Sequence, residues 1–115
     1  MVRNDNERQM SVKENMRDGD GSIGFKEIAT MQELYDKARM FSEVIIKKDC
    51  SIGYHTHDDE EEVILIKKGK IVYNDNGVDK IISEGDVTIC EAGHGHSLAN
   101  PYDEDAVLVA LVMLK

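Results

Sequence analysis

The sequence predicts an all-β fold, a sandwich or a barrel of short strands. Two observations lead there: six short segments are rich in β-branched residues, and turn signals containing Gly, Asn or Asp separate them at close, fairly regular intervals. A parallel α/β sheet would instead alternate strands with long helical patterns. At 115 residues the chain is long enough for one hydrophobic core but not for two, so we expect a single domain.

The segments before the strands have a different character. Residues 1 to about 22 are polar, and their scattered apolar positions fit neither the helical nor the strand period, so this stretch predicts an arm or a frayed end. We expect the N-terminal arm to cover residues 1–28. From Ala29 to Arg39, good helix formers surround Thr30, and Glu33 stands three residues later in capping-box spacing. This pattern predicts one short helix or helical turn, at the start of a barrel domain that covers residues 29–115.

The predicted strands occupy the rest of the chain. Between two of them, residues 74–77 read "NDNG", a hairpin signal, because Asn and Gly accept the positive φ that tight turns need. Further turn signals stand at "KKG" (67–69), "SEGD" (83–86) and "EAGHG" (91–95). The strands predicted between these signals cover residues 40–47, 62–67, 70–74, 79–83, 86–90 and 105–114.

Composition excludes several classes of partner. Fourteen basic and 23 acidic residues give a net charge of -9, which disfavours nucleic acid and acidic membranes by repulsion. No apolar run approaches the roughly 20 residues of a membrane helix, and the polar start lacks the apolar stretch of a secretory signal. We therefore expect a cytoplasmic protein, in which Cys50 and Cys90 are free thiols.

All four histidines fall into two copies of one pattern, His55-x-His57 and His94-x-His96. On a strand, side chains at positions i and i+2 project from the same face, so each pair can aim two imidazoles at one point. Solvated turn histidines are the alternative, but two such pairs among four histidines favour a shared metal site.

The spacing around the first pair resembles the first signature motif of the cupins, small jelly-roll β-barrels that hold a divalent metal. That motif reads glycine, a few residues, His-x-His, three or four residues, Glu, six residues and Gly. Here the corresponding residues are Gly53, His55, His57, Glu62 and Gly69. Gly53 is closer to the histidines than is usual in the family.

The second pair lies in a stretch that resembles the second cupin motif: Gly, five residues, Pro, one residue, Gly, two residues, His, three residues and Asn. Gly85, Gly93, His96 and Asn100 fall in place. Glu91 stands where the family usually has proline, which stiffens a turn and is not a ligand, so its loss changes little.

The resemblance implies a double-stranded β-helix, or jelly-roll, and a ligand set of His55, His57, Glu62 and His96. The cupins assign no ligand to the position of His94. That residue shares a strand face with His96 if the strand already runs through Gly95. If "AGHG" is a turn, which the flanking glycines favour, His94 lies at the barrel mouth and could contact substrate.

Five consecutive acids, residues 58–62, compete for the one carboxylate position. Such a run is usually a solvated turn. The next four residues, "VILI", are all apolar, which predicts a strand buried on both faces, with Glu62 and Glu61 pointing to opposite faces. Family spacing selects Glu62, Glu61 remains the alternative, and Asp58 and Asp59 could lie at the rim or orient an imidazole.

Residues 16–27 also match part of a calcium loop. Asp18, Asp20 and Glu27 fall at EF-hand positions three, five and twelve. Position one, however, is Met16, and the stretch before it supports an entering helix only weakly. An acidic arm is the better interpretation.

Three imidazoles and a carboxylate suit Mn, Fe, Ni, Co or Zn, and suit Ca or Mg poorly. The first functional hypothesis is a cupin-type metalloenzyme acting on a small polar metabolite, as a dioxygenase, isomerase or decarboxylase. The second is a non-catalytic module that senses or stores a small molecule or a metal. We also expect a homodimer, because small cupins commonly dimerise and the long apolar strand 106–114 needs a cover.

Overall fold

The computed structural model describes residues 1–115 as an all-β protein, which confirms the predicted fold class. Two short 3-10 turns, Asp5–Glu7 and Met16–Asp18, are its only helical segments. The ten strands are β1 Met10–Glu14, β2 Ser22–Ala29, β3 Ala38–Ile46, β4 Cys50–Thr56, β5 Glu60–Lys68, β6 Lys70–Asp75, β7 Val78–Ser83, β8 Val87–Cys90, β9 Gly95–Asn100 and β10 Ala106–Leu114.

The strands form two antiparallel sheets that enclose one core. The larger sheet has the order β1-β2-β3-β10-β5-β8, and the smaller has the order β4-β9-β6-β7. Along β10, Ala106, Leu108, Ala110 and Val112 are buried while the residues between them are not, as period-2 alternation requires. Both sheets contribute side chains to the core, as in a jelly-roll.

Strand β5 is buried on one face only, so the prediction of burial on both faces is wrong. Glu62, Ile64 and Ile66 point into the barrel, whereas Leu65 is 42% exposed on the outer face. The run of four apolar residues gave no sign of this, because an apolar outer face looks the same in sequence as a second buried face.

The structure contains the six predicted strands, as β3, β5, β6, β7, β8 and β10, and four that were not predicted. Two of the four lie within the expected arm, residues 1–28. Strand β2 pairs with β3, and its Ile23 and Phe25 are part of the core. The division of the chain into an arm and a barrel at residue 29 stays a prediction, although β2 already packs into the barrel's core.

A short helix or a helical turn was predicted within 29–39, and the structure has the turn: residues 31–36 form a capped turn and no helix. The capping box is present: the Glu33 amide donates to Thr30 Oγ1 (3.1 Å), and the Thr30 amide donates to the Glu33 carboxylate (2.9 Å). One helical bond follows, from the Leu34 amide to the Thr30 carbonyl. Tyr35 and Asp36 then adopt a φ of 55°, in the left-handed region, which ends the turn.

The partial calcium loop of residues 16–27 does not form an EF-hand. Residues 22–29 are the strand β2, where an EF-hand needs its second helix, and a 3-10 turn at 16–18 precedes it. No helix of this protein has the length and apolarity needed to cross a membrane.

Candidate metal centre

Two of the three histidines of the candidate site lie on neighbouring strands of the smaller sheet, and the third follows the end of one of these strands. His55 on β4 and His96 on β9 are direct register partners, so their side chains project side by side into the barrel. A register irregularity between Ile52 and His55 bends β4 just before the site. His57 follows the end of β4, and its amide donates to the His94 carbonyl (3.2 Å).

The fourth member comes from the opposite sheet. Glu62 lies near the start of β5, between Val112 of β10 and Cys90 of β8, and its side chain points inward. One side-chain donor atom from each of His55, His57, Glu62 and His96 lies within 4.8 Å of all the others. The structure therefore brings together the four residues that the sequence predicted as ligands.

The separations between these donor atoms suit a shared cation. His96 Nε2 lies 3.1 Å from His57 Nε2, 3.2 Å from His55 Nε2 and 3.1 Å from Glu62 Oε1, and His57 Nε2 lies 3.1 Å from the same oxygen. Ligands at right angles on an ion, with bonds of about 2.1 Å, would be about 3.0 Å apart.

Each imidazole is oriented through its other nitrogen. His55 Nδ1 lies 2.8 Å from the Gly53 carbonyl oxygen, which can only accept, so Nδ1 carries the proton and Nε2 a lone pair. His57 Nδ1 donates in the same way to Glu60 Oε1 (2.9 Å). Two Nε2 lone pairs therefore face the carboxylate of Glu62, an arrangement that needs a cation or a proton between them.

His96 is fixed by a buried tyrosine. Tyr73 Oη lies 2.8 Å from His96 Nδ1, and both side chains are almost fully buried. Burial raises the pKa of Tyr73 well above its usual value, so the hydroxyl stays protonated. Sequence analysis missed Tyr73, because its contact with His96 depends on the pairing of β6 with β9.

A series of charged side chains behind His57 was also not evident from the sequence. Glu60 accepts a hydrogen bond from His57, and it accepts two from the Arg39 guanidinium, at 2.7 and 2.8 Å. The Arg39 and His57 contacts hold the pKa of Glu60 at about 2. The orienting role that the sequence suggested for Asp58 or Asp59 thus belongs to Glu60, and both aspartates are exposed.

The structure separates the two candidate acids. Glu62 is 9% exposed and points to the imidazoles, whereas Glu61 faces the outer side, where it lines a surface groove with Glu91. Burial alone would raise the pKa of Glu62, but the hydrogen bonds that His57 and His96 donate when their Nε2 atoms are protonated outweigh it and hold the pKa at about 2. Glu62 is the carboxylate at the site.

The neighbouring protonation states follow from the same contacts. The hydrogen bond to Glu62 raises the pKa of His57 above 6.5, against the effect of burial. Burial lowers the pKa of His55. Burial and the charge of Glu62 raise the pKa of Cys90 to about 11, and this thiol, which is free like Cys50, lies outside the cluster of four residues.

His94 lies in a turn, as the flanking glycines indicated. Strand β9 begins at Gly95, and the His94 side chain is exposed outside the cluster of four. A contact between His94 and substrate stays a prediction.

A cavity of about 30 Å³ adjoins the cluster inside the barrel. At roughly 10–15 Å³ for each water, it holds about two water molecules. His55 and Glu62 are its only polar lining residues, and the rest of the wall is apolar: Met16, Phe25, Met40, Val44, Ile52, Ile64, Leu98, Leu108 and Ala110.

Comparison with known proteins agrees with this architecture. A protein-family model described as "Cupin domain" matches residues 42–112. A Thermotoga maritima protein named "Oxalate-binding protein" is 33% identical over 100 residues, which are 87% of this chain and 83% of the relative.

Solved structures show the same similarity. A Thermotoga maritima crystal structure described as a predicted oxalate decarboxylase is 31% identical, with a TM-score of 0.95 over all of both chains. The cupin domain of Schizosaccharomyces pombe Cnp3 is 15% identical, with a TM-score of 0.72 over 81% of this chain and 61% of that one, and it shows the fold alone.

Proposed function

This chain belongs to the cupin family, and we propose that it binds one divalent transition metal, which in turn holds a small polar metabolite. The proposed ligands are His55, His57, Glu62 and His96. One observation carries the proposal: three imidazole Nε2 atoms and a carboxylate oxygen converge within 4.8 Å, and hydrogen bonds leave at least two of the nitrogens with lone pairs directed at the oxygen.

The donor set limits the metal to a few ions. Three nitrogens and one oxygen suit Mn, Fe, Co, Ni or Zn better than Ca or Mg, which prefer oxygen. The distances of 3.1–3.2 Å between the donor atoms match ligands at right angles, which favours a six-coordinate ion. On such an ion two positions would remain for a ligand. Bound there, such an ion supplies Lewis acidity and, if it is Fe or Mn, redox chemistry.

A small carboxylate such as oxalate is the ligand that these features support best. Two neighbouring open positions suit a bidentate acid, and the cavity beside His55 and Glu62 has room only for a compact molecule. The relative of 33% identity is named for oxalate binding.

The two functional candidates differ in whether the chain also transforms its ligand. The cavity wall has no titratable group other than His55 and Glu62, both proposed ligands, so it offers no separate proton donor. This favours a non-catalytic binding module over a dioxygenase, isomerase or decarboxylase. Incubating the metal-loaded protein with excess oxalate separates them: unchanged oxalate supports the module, whereas stoichiometric loss supports an enzyme.

The binding proposal is tested with two matched histidine variants. His96→Ala removes a buried proposed ligand, whereas His94→Ala removes an exposed histidine two residues away. We expect His96→Ala to bind Mn or Co at least about 100-fold more weakly and His94→Ala to bind as the wild type does. Equal affinity of both variants would contradict the proposal and would favour a structural barrel with a fortuitous cluster.

A homodimer is the second part of the proposal. The outer face of the large sheet exposes Leu65, Val87 and Ile89, with Leu65 directly opposite Val87 in the β5–β8 pair. A contiguous apolar area on a sheet face is typical of an interface. A cytoplasmic location stays an expectation from the sequence.

A further inference from the structure

Residues 15–21, here the entrance loop, lie across β4 beside the proposed metal ligands. The Ser51 amide donates to the Asp20 carbonyl (2.9 Å), and the Asp20 amide donates to Ser51 Oγ (2.9 Å). The Arg17 carbonyl lies so close to Gly53 that any side chain at position 53 would collide with it. The loop is thus pressed onto the residue whose carbonyl orients His55.

The backbone of the entrance loop is strained. Asn15, Arg17 and Asp18 have φ values of 47°, 55° and 63°, in the left-handed region that non-glycine residues rarely adopt. Each such residue costs about 1 kcal/mol, and strain of this kind concentrates at ligand-binding sites.

Met16 is the only residue of the cavity wall that does not belong to a strand. The other ten are held by the β-sheets, whereas Met16 is carried by the entrance loop. The cavity has only about 30 Å³ of space, so it leaves little room for a larger ligand. A methionine side chain is long and adaptable, so it can close such a space around a small ligand.

Arg17 follows directly and is exposed, with no carboxylate within 4.0 Å of its guanidinium. The Arg17 carbonyl lies against Gly53, whose own carbonyl orients His55, so the loop holds this charged residue next to the proposed ligands. The chain carries a net charge of -9, including five consecutive acids at 58–62, which would repel an anion. The unpaired positive charge that this loop carries offsets that repulsion.

We infer that the entrance loop selects the ligand, with Met16 limiting its length and Arg17 attracting its negative charge, so that the site takes the smallest dicarboxylates. This inference rests on the proposed metal site and names the residues that set its specificity.

The size limit is tested with Met16→Ala, with Met16→Leu as the matched control. Binding of oxalate, malonate and succinate to the Mn-loaded proteins is measured by calorimetry. We expect the wild type to prefer oxalate over succinate by at least about tenfold, Met16→Leu to keep this preference, and Met16→Ala to lose most of it. An unchanged preference in Met16→Ala would overturn the role of Met16.

The charge is tested with Arg17→Gln, with Lys68→Gln as the control. Lys68 is another exposed cation without an ion pair, at the far end of β5, six residues from Glu62 and about 20 Å away along the strand. We expect Arg17→Gln to weaken oxalate binding about tenfold, Arg17→Lys to restore part of it, and Lys68→Gln to change little. Equal effects of Arg17→Gln and Lys68→Gln would overturn the role of Arg17.

Metal content, measured in the same samples, separates this inference from the function it rests on. If the wild type retains no metal or binds none of the three acids, the proposed function is wrong. If the wild type binds metal and oxalate but the entrance-loop variants match their controls, the proposed function stands and the inference about the loop is wrong.

Discussion

At the scale of single residues, the site is defined by what lies behind each imidazole. His55 is oriented by the Gly53 carbonyl, His57 by Glu60 and His96 by Tyr73. Such partners fix the direction of the free ring nitrogen, and they typically contribute 10–100-fold to metal affinity.

The choice of acid gives the first prediction. Glu62→Gln keeps the shape of a side chain that points to the imidazoles but removes its charge, so we expect metal affinity to fall at least about 100-fold. Glu61→Gln is the matched control on the opposite face of β5, and it should bind metal as the wild type does. Competition with a fluorescent chelator measures both, and the reverse order would show that the neighbouring acid is the ligand.

The second prediction concerns pH. A protonated imidazole cannot bind metal, and the hydrogen bond to Glu62 raises the pKa of His57 above 6.5. As the pH is lowered, metal affinity should therefore begin to fall while the pH is still above 6.5. It should continue to fall on further acidification, by up to about tenfold per pH unit for each proton displaced. Glu62, with a pKa of about 2, stays ionised throughout. Metal affinity that stays constant from pH 8 to pH 5.5 would contradict this assignment.

The sequence predicted the four residues that cluster in the structure but not the residues that orient them. The two His-x-His pairs indicated a shared site, and the resemblance to the cupin motifs selected His96 over His94 and Glu62 over Glu61. The contacts of Arg39 with Glu60 and of Tyr73 with His96 join residues 21 and 23 positions apart, and they arise only once the strands are paired.

At the scale of elements, strand β2 shows where local patterns fail. The alternation of Ile23 and Phe25 with Gly24 and Lys26 breaks at Glu27, so the period-2 pattern is too short to predict a strand. In the structure, β2 pairs with β3 and places Ile23 and Phe25 in the core. Strands β4 and β9 were missed for a related reason, because glycine, histidine and asparagine lower strand propensity where they build the site.

The third prediction tests whether β2 belongs to the core. Ile23 is fully buried, so Ile23→Ala should lower the free energy of unfolding by about 2–5 kcal/mol. Val12→Ala on the exposed strand β1 should change it by less than about 0.5 kcal/mol. Urea unfolding measures both, and a negligible effect of Ile23→Ala would mean that β2 is not part of the cooperative core.

At the scale of the whole molecule, the outer face of the large sheet is the proposed dimer interface. The large sheet exposes Leu65, Val87 and Ile89, an apolar area that a monomer would leave in water. The sequence predicted the fold class, since strand and turn signals are local. The sequence could not show that one face of β5 is exposed, because apolar residues are favoured both at an interface with a second copy and in a core.

The homodimer gives the fourth prediction. Ile89→Glu on β8 places a charge on this apolar face, and we expect it to yield a monomer in light scattering after gel filtration. Ile81→Glu on β7 is the control, since Ile81 is even more exposed but belongs to the smaller sheet, and this variant should remain a dimer. A wild type that is monomeric at micromolar concentration would contradict the proposed dimer.

The account as a whole depends on the ion that the four side chains are arranged to bind. Its most direct test is elemental analysis of the full chain, purified without chelator and without an affinity metal. We predict about one equivalent of Mn, Fe, Co, Ni or Zn per chain, because a set of three imidazoles and a carboxylate should bind such an ion firmly. Less than about a tenth of an equivalent, with no uptake when these metals are added, would contradict the central claim.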